Sequence, residues 1–298
     1  MKVLTQAVIE ELIKATAGSF NVRDIWAELG ITHSENKQHL RVILNRLSQA
    51  GIIAKTSKDG TYRKIDEKLE PVDWQNADPT KTVKVAFPFS VEALCKVYPK
   101  SIIIVAGEKN AGKTAFLYQM IQLNMANHII DLFNSETGPE QMQERFEPLD
   151  IPEPAPFNVY ERYDNFADVV DPEHLTVIDY LDLNSEFYLV GAEIDSIFRK
   201  LTTGVAVIGL QKPPPTIAYV KGKRVSYSRD LAYGGGTTAK RAIIFISLGD
   251  KKMKLVYVKT PSDPKVNPNN MMWSYSFDGG GYFTNIKRYY PSDIQDDD

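Results

Sequence analysis

Cysteine is nearly absent: one residue, Cys95, stands in a chain of 298. A single thiol forms no internal disulfide and builds no cysteine-ligated metal site. A cytoplasmic protein is therefore expected. Long apolar runs are missing too. No stretch reaches the roughly 20 residues that a helix needs to cross a bilayer, so no membrane partner is expected. The first residues are interrupted by Glu10, Glu11 and Lys14, which is not the pattern of a secretory leader. Net charge is small, −3 from 35 Lys/Arg against 38 Asp/Glu. What is present is ordinary for a globular protein, with 43% hydrophobic and 24% charged residues. The length allows one large domain, or one large and one small.

The charge is unevenly placed. Residues 1–66 carry ten Lys/Arg against seven Asp/Glu, so this end is basic and the remainder acidic. A basic end on an acidic body points to contact with a polyanion. Within it, residues 5–16 show a helical pattern with Val8, Ile9, Leu12 and Ile13 on one face. Asn21 is placed to cap a short helix carrying Val22, Ile25, Trp26 and Leu29, ended by Gly30. A third helix over Ser34–Gln49 turns Leu40, Ile43, Leu44 and Leu47 inward. Residues 52–55 and 61–65, joined through Lys58-Asp59-Gly60, read as a β-hairpin.

Three helices and a hairpin resemble a winged helix-turn-helix domain, over about one fifth of the chain. The resemblance implies that the third helix enters the major groove of duplex DNA and the hairpin lies along the backbone. Ser34, Asn36, Lys37 and Arg41 are the corresponding helix residues, and Lys55, Lys58 and Arg63 those of the wing. These types read base edges or hold phosphates. A protein-docking module with a solvated basic face is the other reading. Residues 67–81, acidic and proline-interrupted, read as a linker.

The body is organised around Gly107, Glu108, Lys109, Asn110, Ala111, Gly112, Lys113 and Thr114, which spell G-x-x-x-x-G-K-T. The run before them, 101–106, is apolar and β-branched, and the run from Ala115 onward is good helix material. Glycines in such a loop let backbone N–H groups cradle phosphate oxygens at a helix N-terminus. Lys113 then reaches the β- and γ-phosphates of ATP, and the Thr114 hydroxyl holds Mg2+. Further elements are expected as a strand over 83–87, a helix over 91–97 capped by Ser90, and a strand over 128–134. Glu136, at the end of that last strand, stands where a carboxylate activates an attacking water.

Three segments carry a resemblance to the RecA/DnaB/KaiC superfamily of ATPases over most of residues 100–260. They are Asn134-Ser135-Glu136-Thr137-Gly138-Pro139-Glu140, Leu175-Thr176-Val177-Ile178-Asp179-Tyr180-Leu181 and Val205-Ala206-Val207-Ile208-Gly209-Leu210-Gln211, in family order with a helix over 184–201 between the last two. The resemblance implies that Glu136 is the catalytic base, Asp179 supports Mg2+, and Gln211 is a polar sensor of the γ-phosphate. It implies that the loop 212–236, basic and rich in Pro, Gly and Tyr, holds single-stranded DNA through Lys221, Lys223 and Arg224. A surface insertion is the bland alternative. Lys259 matches the Lys of a Lys-x-Arg pair that acts on a neighbouring subunit, but Pro261 replaces the Arg. Arg241 is the alternative donor, beside Lys240. Residues 275–283 read as a closing hairpin and 291–298 as an acidic tail.

The expected fold is α/β: a RecA-like P-loop core over 82–290 with a mostly parallel sheet, plus the small winged-helix α+β domain over 1–66. The expected function is a DNA-dependent ATPase, DnaB-like helicase in type, acting in DNA replication as a hexamer or filament with possible replication partners. A RecA-like recombinase and a non-translocating ATP switch, such as a helicase loader, stay open.

Overall fold

The computed structural model describes residues 4–15, 18–65, 69, 71–181, 187–220, 223–278 and 281–290. The acidic tail lies outside them. The chain divides into two compact units, Met1–Ala77 and Asp78–Asp298.

The smaller unit holds helices α1 (Gln6–Ala15), α2 (Val22–Glu28) and α3 (Ser34–Gln49) with strands β1 (Ser19–Asn21), β2 (Ile53–Lys55) and β3 (Thr61–Lys64). The strands form an antiparallel sheet in the order β1-β3-β2. Asn21 caps α2 as its residue type demands. Its side chain accepts a bond from the Arg23 amide at 2.9 Å, and the Asp24 carboxylate accepts one from the Asn21 amide at 3.1 Å. Leu40, Ile43, Leu44 and Leu47, at the 3.6-residue period of α3, pack with Ile9, Ile13, Ile25 and Ile53. Strand β1 escaped the sequence pattern because three residues are too few to show an alternation.

The larger unit is built on a nine-stranded sheet in the order β14-β13-β12-β11-β4-β8-β7-β5-β6. Its strands are β4 (Ser101–Gly107), β5 (Ile130–Asn134), β6 (Asn158–Glu161), β7 (Leu175–Asp179), β8 (Val205–Gln211), β11 (Ala242–Gly249), β12 (Lys252–Val258), β13 (Met272–Asp278) and β14 (Tyr282–Tyr289). A separate hairpin pairs β9 (Thr216–Val220) with β10 (Lys223–Tyr227). Helices α4 (Lys113–Asn124), α5 (Pro139–Phe146), α6 (Phe187–Lys200) and the short α7 (Gly236–Ala239) complete the unit. Strands β6, β5, β7, β8, β4 and β11 are parallel, and β12 to β14 add an antiparallel meander.

Every residue of β4 is buried, as a central parallel strand covered on both faces requires. Its side chains alternate between two cores. Ile103 and Val105 join Phe116, Leu117, Met120 and Ile121 of α4. Ile102, Ile104 and Ala106 join Val190, Ile194 and Ile197 of α6. The strand order then sets the site. Gly107 pairs in register with Gln211, and Asn134 with Asp179. Four chain-distant strand ends therefore lie along one edge, the carboxyl edge where α/β sheets take ligands. Among the described residues no helix is long and apolar enough to cross a membrane.

Three local expectations are corrected. Residues 83–87 form no strand: Ala86 spends both backbone groups on the Asn124 side chain, at 2.9 and 2.8 Å, and Val83 bonds Val97 at 2.7 Å. The expected helix over 91–97 is a 3₁₀ turn at Pro88–Ala93, and Ser90 lies inside it at φ 54° rather than capping it. No side chain caps the turn; the Glu92 carboxylate accepts the Phe87 amide at 3.0 Å. The stretch after Gln211 is a β-hairpin rather than an unstructured loop, since residues 216–220 and 223–227 are rich in β-branched and aromatic types.

Truncating Ile104, which is 0% exposed between β4 and α6, is expected to cost about 2–5 kcal/mol. Ile104→Ala should lower the urea midpoint while leaving the slope of the unfolding transition unchanged.

Candidate nucleotide site and nucleic-acid surfaces

The loop between β4 and α4 needs its second glycine. Gly112 sits at φ 85°, a left-handed conformation that disfavours a side chain. A Cβ there would also meet the Phe277 ring at 2.1 Å. The loop is held from below by the meander, where the Tyr275 hydroxyl donates to the Ala111 carbonyl at 2.7 Å. Helix α4 then starts at Lys113, so its free N–H groups face the loop.

Glu108, Lys109, Asn110, Gly112, Lys113, Thr114 and Ala115 line a cavity of about 270 Å3 with Glu136 and Gln211. Gly107 ends β4 and Ala111 is buried beneath. Lys113 is only 7% exposed. Its Nζ lies 3.5 Å from Gln211 Oε1 and 3.6 Å from the centre of the Tyr180 ring. The Thr114 hydroxyl donates to Asp179 Oδ1 at 3.3 Å. Asp179 is wholly buried, and its Oδ2 has no hydrogen-bond partner. Burial pushes its carboxyl up to about 6, against the pull of Lys113 and the Thr114 hydroxyl. A buried carboxylate oxygen without a partner, beside a threonine hydroxyl, suits a hard divalent cation such as Mg2+. Among the described residues no group of three or more His, Cys, Asp or Glu is placed to hold a metal, so a cation here would draw its remaining ligands from outside the protein's carboxylates. Glu136 is exposed on the cavity rim, above the bond by which the Ser135 hydroxyl reaches the Tyr180 carbonyl at 2.6 Å.

Four lining residues escaped the sequence reading: Tyr118, Arg145, Phe277 and Gly281. Arg145 is the informative one. It lies in the last turn of α5, and its Nη1 is buried in the protein without a hydrogen-bond acceptor. The sequence signal was an arginine on the helix that follows Glu136, but only the fold shows that this helix turns back over the loop. Arg241 and Lys259 do not line the cavity. Arg241 Nε donates to Asp195 at 2.5 Å with its guanidinium 4.6 Å from the Phe198 ring centre, and Lys259 donates to the Lys240 carbonyl at 3.3 Å.

In the smaller unit, α2, α3 and the hairpin enclose a groove of about 890 Å3. Arg41, Lys55 and Lys58 line it with Gln38, another helix residue of base-reading type, and with Arg23 and Asn45, which the sequence reading passed over. Ser34, Asn36, Lys37 and Arg63 lie outside the lining. Lys37 and Arg41 stand 4.9 and 5.8 Å from the Trp26 ring centre. In the larger unit Tyr219 is 75% exposed on β9. Lys221 lies outside the described residues, and Lys223 and Arg224 are placed only by their backbone on β10.

The raised Asp179 carboxyl has a consequence for stability. Its folded value exceeds the ordinary 3.8, so the folded state holds the proton more tightly. The stability it contributes is full below pH 3.8 and is lost as pH rises through about 6. Metal-free Asp179→Asn should therefore be more stable than wild type at pH 7.5, by on the order of 2–3 kcal/mol. The difference should vanish in acid; thermal melts in chelator across pH check it.

No family model and no curated protein sequence matches this chain. Solved structures resemble it in fold. A DnaB-like replicative helicase, described with its interactions with primase, is 13% identical over 72% of this chain and 66% of its own, at a TM-score of 0.45. This chain thus spans just under two thirds of that helicase. The RadB recombinase is 14% identical over 62% of this chain and 90% of its own, at 0.40. A third structure, described as an ATPase domain, is 13% identical over 64% of this chain and 87% of its own, at 0.42. The sheet order and the loop between β4 and α4 make the large unit an α/β domain with a mostly parallel sheet and a phosphate-loop motif between a strand and a helix.

Proposed function

We propose that the chain is a Mg2+-dependent, DNA-linked ATPase of the DnaB-like helicase type, working as a hexameric ring or filament in DNA replication. The observation that carries the reading is the convergence of Lys113, Thr114, Glu136, Gln211 and Arg145 on the lining of one cavity, with Asp179 buried directly behind Thr114, whose hydroxyl it accepts. The loop amides and Lys113 bind the triphosphate. Glu136 takes the proton of the attacking water, and Arg145, a cation on the cavity lining, offsets charge developing on the phosphoryl oxygens. Gln211, bonded to Lys113 at the start of the segment leading to β9, reports phosphate occupancy to that hairpin. Thr114 and Asp179 would hold Mg2+, which when bound neutralises phosphate charge.

Two DNA contacts follow from the surfaces. The smaller unit, read as a winged helix, takes duplex DNA in the groove of Arg41, Lys55 and Lys58, and the segment 212–236 takes a single strand. A second reading, an ATP-driven switch such as a helicase loader, is favoured by the region of the trans-acting residue. Pro261 sits in a bridge with Cys95, and Arg241 is tied to Asp195 within its own subunit.

Glu136→Gln is expected to keep ATP binding while lowering kcat by a factor on the order of 10² or more. Full turnover in a steady-state phosphate-release assay would remove Glu136 as the base. Unwinding of a forked duplex separates helicase from switch. For the duplex contact, Arg41→Ala with Lys58→Ala should reduce the slope of log K against log salt by about two. An unchanged slope in fluorescence anisotropy would make the groove a protein-docking surface.

A further inference from the structure

One buried cation in the larger unit has no part in the chemistry proposed above. Lys212 follows the sensor Gln211 and is 3% exposed. Its Nζ lies 3.7 Å from Glu108 Oε1 and donates to the Leu248 carbonyl at 3.3 Å. A buried ammonium is strongly disfavoured unless paired. Burial accordingly pulls its pKa down, with Glu108 and Asp230 holding the proton on and Lys254 opposing them. Glu108 is therefore the partner that makes Lys212 tolerable, and Glu108 belongs to the phosphate loop.

The same carboxylate oxygen has a second partner. Ser228, just past the end of β10, donates its hydroxyl to Glu108 Oε1. The segment that leaves the sheet at Lys212 and returns at Ser228 is thus fastened at both feet to one residue. Backbone bonds close the arrangement: the Lys212 amide to the Gly107 carbonyl at 2.9 Å, the Glu108 amide to the Leu248 carbonyl at 3.2 Å, and the Tyr233 amide to the Gln211 carbonyl at 3.0 Å. Asp230 pairs with Lys254 at 2.7 Å and extends the alternating charges to β12. Gly249 leaves room for the carboxylate, since a Cβ there would stand 2.8 Å from Glu108 Oε1.

We infer that Glu108 is a positioning residue that ties both feet of the β9–β10 hairpin, through Lys212 and Ser228, to the phosphate loop, so that nucleotide occupancy and hairpin placement form one coupled equilibrium. Phosphate binding reorients the amides of this loop and brings negative charge beside Glu108, which drags or releases both feet together. By reciprocity, a ligand that moves the hairpin changes nucleotide affinity by the same factor. The inference rests on the nucleotide reading of the loop, and its consequence for DNA rests on the single-strand reading of the hairpin.

The test reads the hairpin without DNA. Trypsin sites at Lys223 and Arg224 lie on β10, and the full chain is digested with and without a saturating non-hydrolysable ATP analogue and Mg2+. In wild type the nucleotide should change the rate of cleavage there by on the order of fivefold or more. In Ser228→Ala, an exposed position, and in Lys212→Met, the change should fall below about twofold, and Ser228→Thr should restore it. Variants that respond like wild type, or a wild-type hairpin indifferent to bound nucleotide, overturn the inference. Anisotropy of a labelled single-stranded oligonucleotide in the same samples keeps the two readings apart. If no oligonucleotide binds while the cleavage response is present in wild type and lost in the variants, the single-strand reading fails and the tie stands.

Discussion

A buried pair of opposite charges sets the terms for the larger unit. Lys113 is 7% exposed and Asp179 wholly buried, both at the carboxyl edge of the sheet, and Asp179 Oδ2 finds no hydrogen-bond partner in the protein. Such a pair is costly to bury and offsets that cost only with further partners. An anion seated in the loop and a cation at Asp179 Oδ2 would supply them. The parallel order β4-β8-β7 exists in sequence only as three separate apolar runs, yet it delivers Gly107, Gln211 and Asp179 to adjacent strand ends.

The rest of the unit supports that pair. Alternate residues of β4 fill two cores, which fixes the height of the loop above the sheet. The meander is a wall of the site as much as a closing element. Tyr275 holds the Ala111 carbonyl, Phe277 fills the space beside Gly112, and Gln119 of α4 donates to the Gly281 carbonyl at 3.0 Å. Phe89, Phe116, Tyr275, Phe277 and Phe283 pack ring against ring beneath, with centroids 4.8 to 6.3 Å apart. A change in the meander therefore reaches the phosphate loop, although the Tyr275–Ala111 bond joins residues 164 positions apart in sequence.

The smaller unit has its own core and a different electrostatic character. Its apolar side chains are used inward at helical spacing, which leaves arginines and lysines of α2, α3 and the hairpin on a concave face around Trp26. Lysine and arginine over an aromatic ring keep their charge while covering apolar surface. A polyanion meeting this groove finds cations already oriented, so less side-chain entropy is lost on binding.

The sequence by itself determined the elements whose signals are local. The phosphate loop, α3, the capped α2 and the buried strands β4, β7 and β8 follow from a motif, a 3.6-residue period or a β-branched run. Glu136 could be placed just past such a run, whereas Asp179 and Gln211, each closing one, were marked by the resemblance of their segments to RecA/DnaB-type motifs. The tertiary structure decided everything that depends on partners far along the chain. It made Pro88–Ala93 a 3₁₀ turn with Phe89 and Ser90 at positive φ, and it spent the backbone of Ala86 on Asn124. It brought Arg145 and Phe277 over the loop and joined Glu108 to Lys212 and Ser228. The division has one physical cause. Hydrogen bonds and packing within a few residues leave a periodic trace in the chain, whereas a contact between distant segments is chosen by which strands pair, and no short stretch records that choice.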